Sequence, residues 1–359
     1  MNKQKFQTSL SKLVTWIEKN NFKGYDPYDA LNSDYLLRNN KWMRLTSTVF
    51  FRISPINFRK IFKIKKGINP KAMGLLLSVY SHLSQKGIKN TESRQNLIFD
   101  WLLANRCNRF SGYSWGYNFP WQNSTRLLDS GLPSVVTTAY VANGMLDYYI
   151  STQNSQALFA AEQACNFVIE NLNKTFSGDS FCFSYTPIEK NIVHNANVLG
   201  ASLLSRVSAH NGSRKLREHS TNSIDFTIDR QNNDGSWDYC IDPITGKGRV
   251  QTDWHQGFIL DALADYIDNV KPSDTKYSEA LLKGALYYKN KQFDDIGRCH
   301  WRLPQKWPID IHNQAQGIIT FSRLFEKDKE YLSFASKVAN WTINEMQDEE
   351  GFFYFQKWP

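Results

Sequence analysis

The sequence predicts an all-α fold, an (α/α)6 toroid of repeated helical hairpins, on three observations. A turn carrying glycine and aromatics recurs five times: Gly112 in SGYSWGYNFPW, Gly178 in SGDSFCFSYTP, Gly235 in QNNDGSWDY, Gly297 in DDIGRCHWRLP and Gly351 in DEEGFFYFQKW. The turns are spaced by about 66, 57, 62 and 54 residues, a period that marks a repeat architecture. Between them apolar residues recur at three- and four-residue steps, and strand-like alternation is nearly absent. Residues 1–359 therefore read as one toroid domain, with 1–69 a divergent first repeat and basic connector and 70–359 the regular repeats.

Each hairpin opens with a more polar helix. In SQALFAAEQACNFVIENLN, Leu158, Ala161, Cys165, Val168 and Leu172 form the apolar stripe. ESRQNLIFDWLLANR, SRKLREHSTNSIDFTIDRQ, KYSEALLKGALYYKNKQ and KEYLSFASKVANWTINEMQ are its counterparts, and a helix near residues 6–20 makes six. The second helices are NPKAMGLLLSVYSHL, SVVTTAYVANGMLDYYI, HNANVLGASLLSRVSAH, DWHQGFILDALADYI and IHNQAQGIITFSRLF. Gly144, Gly200, Ala201, Gly257 and Gly317 suit these to close packing on several sides, so they belong inside and the polar set outside. Six outer helices against five inner ones leave the ring one short. The expectation is a missing C-terminal helix, through truncation or an incomplete gene, unless the segment from Ser33 to Phe51 takes its place. The turn around Gly24, in NFKGYDPYD, reads as a divergent sixth copy. Within it Asp29 is suited to cap the following helix, and Asp26-Pro27-Tyr28-Asp29 to form a rim.

Hydrophobic residues at 41% and aromatics at 14% exclude a disordered chain. A net charge of +9 allows attraction to nucleic acid, anionic lipid or an acidic glycan, but no nucleic-acid-binding motif occurs. Arg52, Arg59, Lys60, Lys63, Lys65 and Lys66 carry much of the excess. Their segment, FRISPINFRKIFKIKKG, reads either as a solvated connector or as a peripheral contact with a membrane surface. No apolar run has signal-peptide or membrane-spanning character. The five cysteines are odd in number and lack CxxC spacing, which fits reduced thiols in a cytoplasmic protein.

At the starts of the second helices the sequence places Thr137 and Thr138, then His194 with Asn195 and Asn197. Asp253 with His255 and Gln256, and Asp310 with His312 and Asn313, complete the ring. Helix starts favour polar residues, so Asp253 and Asp310 also suit plain capping. Capping does not call for imidazoles, yet three of the seven histidines fall at this level.

The string Gln231 to Trp237, Q-x-x-D-G-S-W, resembles the QW-type repeat of squalene cyclases and protein prenyltransferases, and Gln347 to Phe353 is a looser copy. Through GYSWGYNFPWQ, FCFSYTP, VHNANVLGASLL, QNNDGSW and WPIDIH the chain also resembles a poorly characterised bacterial family. Its members are often encoded beside surface-polysaccharide biosynthesis genes and are sometimes labelled prenyltransferase-like. The resemblance implies an alpha toroid, related in shape to six-hairpin glycosidases, without implying a reaction.

Two chemistries fit the polar ring. In one, a saccharide or lipid-linked saccharide is the substrate. Asp253 and Asp310 would act as paired carboxylates in hydrolysis, or His194, His255 or His312 would remove and return a ring proton in lyase or epimerase chemistry. Trp115, Tyr117, Trp121, Tyr185, Trp237, Trp254 and Trp301 would supply stacking faces, while Asn118, Gln122, Asn195 and Asn313 bind hydroxyls. Arg126 or Arg302 would hold an acidic group. No cofactor is required. In the other chemistry, Asp253, His255 and His312 hold zinc with one open position, which is similar to the prenyltransferase arrangement. There His255 stands where that arrangement has cysteine. Phe293-Asp294-Asp295 lacks the first Asp of the cyclase Asp-x-Asp-Asp motif, which argues against terpene cyclisation. A non-catalytic toroid that binds a glycan or a protein of polysaccharide assembly remains the alternative from another class.

Overall fold

The computed structural model describes residues 3–35, 40–88, 91–122, 126–326 and 328–359. Its α-helices, in chain order, begin with α1 (Lys3–Lys19), α2 (Lys41–Ile53), α3 (Pro70–Gln85) and α4 (Glu92–Ala104). There follow α5 (Val135–Thr152), α6 (Ser155–Asn171), α7 (His194–Asn211) and α8 (Arg214–Ile228). The last are α9 (Trp254–Val270), α10 (Lys276–Gln292), α11 (Ile311–Arg323) and α12 (Lys329–Met346). Twelve α-helices among the described residues are one more than the eleven expected, and the additional one is α2. They fall into two compact units, Met1–Lys19 with Leu172–Pro359, and Asn20–Asn171.

In the larger unit, α7 packs on α9 and α9 on α11, while α8, α10 and α12 each pack against the helix before them. Burial separates the two sets. α7 has 14 of its 18 residues buried, against 6 of 15 on α8. Between these layers Trp237, Tyr266, Tyr288, Phe293 and Phe321 form the centre of the core. Each such side chain contributes roughly 1.5–3 kcal/mol on burial.

The turns dock each hairpin on its neighbour, and glycine makes that possible. At Gly235 φ is +96°, and a Cβ there would sit 2.5 Å from the Lys283 carbonyl oxygen of α10. At Gly351 φ is +105°, and a Cβ would sit 2.4 Å from the Lys12 carbonyl oxygen of α1. A side chain at either place meets both backbone strain and backbone atoms. The glutamine four residues earlier completes the clamp. Gln231 Nε2 donates to the carbonyls of Gly235 (3.0 Å) and Ala280 (2.9 Å). Gln347 Nε2 donates in the same way to Gly351 and Ser9, both at 3.0 Å. The two QW-like strings are thus one device used twice, and the second joins the last turn to α1.

Short strands, unexpected from the sequence, tie the turns together. Residues 174–177 pair with 180–183, and 192–193 pair with 240–241, which pair in turn with 248–249. Residues 309–310 pair with 356–357.

In the smaller unit α3 packs against α5, with Gly144 close enough that a Cβ would lie 2.2 Å from the Gly74 carbonyl oxygen. Of the segment Ser33–Phe51, residues 36–39 lie outside the described residues. Lys41–Ile53 forms α2, which packs on the 3-10 turn Asp29–Asn32 and on strand Trp121–Gln122. Phe51 is the buried residue of α2, so this helix lacks the all-round burial of the inner set. Asp29 does not cap a helix as expected. Its carboxylate accepts from Arg59 Nε at 2.8 Å and from the Asp26 N–H at 3.0 Å, holding Asp26-Pro27-Tyr28-Asp29 to the basic segment.

Candidate active site

The starts of α9 and α11 carry the same local structure. Asp253 Oδ1 accepts the His255 backbone N–H at 3.1 Å, and Asp310 Oδ1 accepts the His312 backbone N–H at 2.9 Å. Each aspartate is therefore the N-cap of its helix, answering a free amide and the positive end of the helix dipole. The Asp-x-His spacing adds a second bond. His255 Nδ1 lies 2.5 Å from Asp253 Oδ1, and His312 Nδ1 lies 3.0 Å from Asp310 Oδ1. A carboxylate oxygen accepts, so Nδ1 is the protonated nitrogen of each ring and Nε2 is left for other chemistry.

The two aspartates are buried, whereas their histidines keep some exposure: the side chains are 14% exposed at His255 and 44% at His312. Gln251 Nε2 donates to Asp253 Oδ2 at 2.8 Å, and Arg302 Nε lies 3.4 Å from the same oxygen. Burial pushes the Asp253 carboxyl up, but the His255 imidazole, its hydrogen bonds and the Arg302 guanidinium outweigh it. The group ends below the usual carboxylate range. On Asp310 the corresponding place is taken by Gln356 Nε2, a neutral donor at 3.3 Å.

Aromatic rings surround both imidazoles. Trp254 lies against both, with ring centroids 5.1 Å from His255 and 5.5 Å from His312. Tyr239 meets His255 at 4.6 Å and Phe355 meets His312 at 5.9 Å. Arg249 covers Tyr239, and Arg302 covers Trp301. Tyr239, Gln251, Phe355 and Gln356 were not singled out in the sequence. The first and the last two flank or lie in the short strands, whose pairing brings them to the helix starts.

The remaining expected residues divide by what they hold. His194 is 1% exposed, with Nδ1 3.3 Å from Thr227 Oγ1. Burial, followed by the Arg230 charge, pulls it down to about 3, so it is a neutral core residue and not a proton carrier at neutral pH. Thr138, Asn197 and Gln256 tie turns to helices: Thr138 Oγ1 accepts the Trp115 N–H, Asn197 Oδ1 that of Phe183, and Gln256 Oε1 that of Trp237. Thr137 donates its N–H to the Ser134 cap. Trp115 and Trp237, expected as stacking faces, are buried. Their indole N–H groups donate to Leu102 O and Thr227 O near the ends of α4 and α8. Asn313 Nδ2 donates to the carbonyls of His300 and Trp301. The carboxamide oxygens of Asn195 and Asn313 are buried without a hydrogen-bond partner among the described residues. Tyr185 lies in the loop after residues 180–183, where its N–H meets Asn191.

In the smaller unit Tyr117 stacks on Phe119 and meets Trp121 edge-on. Asn118 is half-buried beside Gly67, and Gln122 accepts from Arg44 at 2.7 Å. Arg126, the other arginine expected to hold an acidic group, is exposed.

Asp253, His255 and His312 are not assembled as a metal site. Asp253 Oδ1 and His255 Nδ1 are spent on each other, and among the described residues no group of three His, Cys, Asp or Glu side chains is placed to hold a metal ion. The zinc arrangement drawn from the prenyltransferase resemblance does not fit this donor set.

Comparisons with known proteins agree with the helical repeats. The chain is similar to cellobiose 2-epimerase from Bacillus thermoamylovorans, at 13% identity over 99% of this chain and 92% of that one, with a TM-score of 0.70. It is similar to an unsaturated glucuronyl hydrolase from Streptococcus agalactiae, at 14% identity over 98% and 83% of the two chains, with a TM-score of 0.64. It is also similar to a GH76 alpha-mannanase from Bacteroides thetaiotaomicron, at 15% identity over 81% and 78%, with a TM-score of 0.61. At such identities the likeness shows the fold, that of the (α/α)6 toroid class, as the repeated turns predicted. No family model and no curated protein sequence matches the chain.

Proposed function

We propose that this protein is a carbohydrate-active enzyme that moves a proton at a carbon beside a sugar carbonyl, as an epimerase or isomerase does. The observation that carries this reading is the pair of Asp–His couples at the starts of α9 and α11, each with Nε2 unspent among the described residues, around a shared indole. One imidazole takes the proton from the carbon through Nε2, and its aspartate stabilises the imidazolium that forms. The electron pair moves onto the carbonyl oxygen as an enediolate develops. The other imidazole, starting as the imidazolium, delivers its Nε2 proton to the same carbon from the opposite side, giving the epimer, or to the neighbouring carbon while the hydroxyl proton passes between the two oxygens, giving the isomer. Trp254 and Trp301 offer faces for the sugar.

Hydrolysis by Asp253 and Asp310 is the weaker reading. An acid catalyst must hold a proton near neutral pH, whereas Asp253 is buried, accepts three hydrogen bonds, lies beside the Arg302 guanidinium and is held below the carboxylate range. The neighbours' names support a sugar substrate in both directions, since they include a cellobiose 2-epimerase, a D-mannose isomerase and glycoside hydrolases. The wider proposal, resting on the sequence resemblance, is a single-domain cytoplasmic toroid acting on a sugar of a bacterial surface polysaccharide or its precursor. Incubation with reducing mono- and disaccharides, followed by chromatography, should show conversion to an epimer or ketose. Cleavage of a glycosidic bond without such conversion would favour the hydrolase.

A further inference from the structure

The amphipathic helix α2 faces the wrong way for a helix that serves only the core. Trp42, Val49, Phe50 and Ile53 fall at i, i+7, i+8 and i+11, one face of the helix. Most of that face is open to solvent: Trp42 is 72% exposed, and Met43, Val49, Phe50 and Ile53 are each 41–43% exposed, with one side of the Phe50 ring stacked on Phe58. The opposite side is anchored. Arg44 Nε donates to Gln122, Phe51 packs edge-on against Phe62, and Arg59 pairs with buried Asp29. The stripe is therefore held outward by a fixed support. Ile56, 62% exposed, and Ile61, 71% exposed, extend it past the helix end.

Charge indicates what covers it. From Tyr35 to Thr91 the sequence contains no Asp or Glu, while residues 41–66 contain eight Lys and Arg. Lys41, Lys60, Lys63, Lys65 and Lys66 of this segment are exposed. An outward apolar face in a segment rich in exposed cations and without an acid of its own is the composition of an element that lies in a lipid–water interface. No helix among the described residues is long and apolar enough to cross a membrane, so the contact is peripheral.

We propose that α2 and the segment after it, residues 41–66, dock the protein on an anionic phospholipid surface. Trp42, Phe50 and Ile53 enter the headgroup region, and Lys60, Lys63 and Lys65 meet the phosphates. The proposal stands apart from the sugar chemistry, because none of these residues belongs to the Asp–His couples.

The test is co-sedimentation of the full chain with vesicles of phosphatidylcholine and phosphatidylglycerol at about 3:1, and with phosphatidylcholine alone, in about 0.1 M salt. Wild-type protein should bind the anionic vesicles at least about tenfold more tightly than the neutral ones. The double variants Trp42→Ser/Phe50→Ser and Lys60→Glu/Lys65→Glu should each lose about tenfold or more, the lysine variant with unchanged melting temperature. Failure to sediment with anionic vesicles, equal binding to neutral ones, or undiminished binding by well-folded variants would overturn the proposal. So would a wild-type oligomer that dissociates in Trp42→Ser/Phe50→Ser without vesicle binding, since the face would then join two copies of the chain.

Discussion

The starts of α7, α9 and α11 occupy cognate places in successive repeats, and each carries a histidine, yet only two of the three rings are held by the aspartate that caps their helix. At α9 and α11 an aspartate two residues before the histidine caps the helix, and the same oxygen takes Nδ1 of the ring. At α7 the N-cap is Val193, which offers no side-chain bond, and His194 is itself the first residue of the helix. Its ring goes inward to Thr227, and its charge is suppressed. A one-residue offset from the cap thus separates an imidazole held by its capping carboxylate from a core side chain.

That contrast can be broken at its strongest point first. His255→Asn and His312→Asn should each lower the turnover of the folded protein by about 10²–10⁴-fold, with the more exposed His312 variant keeping its melting temperature nearly unchanged. His194→Asn should act through stability, with the turnover of the remaining folded protein close to wild type. Equal losses of turnover in all three folded variants would erase the distinction.

Asp253→Asn should do both kinds of damage, because it removes a buried charge that holds His255 and Arg302. A loss of about 3 kcal/mol by denaturant unfolding is expected, together with reduced turnover. The depressed carboxyl contributes its stability above its unfolded pKa of about 4, and that contribution fades as pH falls through the lower folded value. The variant's stability should therefore depend less on pH in the acid range. Asp310→Asn, with no arginine beside it, should lose less stability for a similar loss of turnover.

His194 gives the next effect. Its folded pKa is about 3 and its unfolded one about 6.5, so the unfolded chain binds the extra proton across that window. Stability should fall by about 1.4 kcal/mol for each pH unit below about 6.5, and His194→Gln should flatten that part of the curve. The smallest effect concerns the two glutamine clamps. Gln231→Ala and Gln347→Ala should each cost about 1 kcal/mol or somewhat more, with the Gln347 variant also raising hydrogen exchange in α1.

The order of helices was legible because their stripes and turns repeat, and a helix needs only local spacing to reveal its face. Asp253 and Asp310 were legible as caps for the same reason: a cap and its helix are neighbours in sequence. The facing of α2 was hidden, since an amphipathic pattern shows that a face is apolar without showing that the face points outward. Trp115 and Trp237 read as stacking platforms, but whether a turn aromatic points in or out depends on the next helix, about fifty residues away. The strands at 192–193 and 309–310 were too short to announce themselves. With them were hidden the approach of Tyr239 to His255 and that of Phe355 to His312.

The experiment to run first is incubation of the protein with reducing sugars in D2O, reading deuterium at the carbon beside the carbonyl by NMR. Proton transfer through His255 and His312 predicts incorporation there, abolished in His255→Asn and His312→Asn and kept in folded His194→Asn. A sugar turned over with no deuterium at that carbon, or with incorporation that survives both variants, would contradict the assignment of the two Asp–His couples.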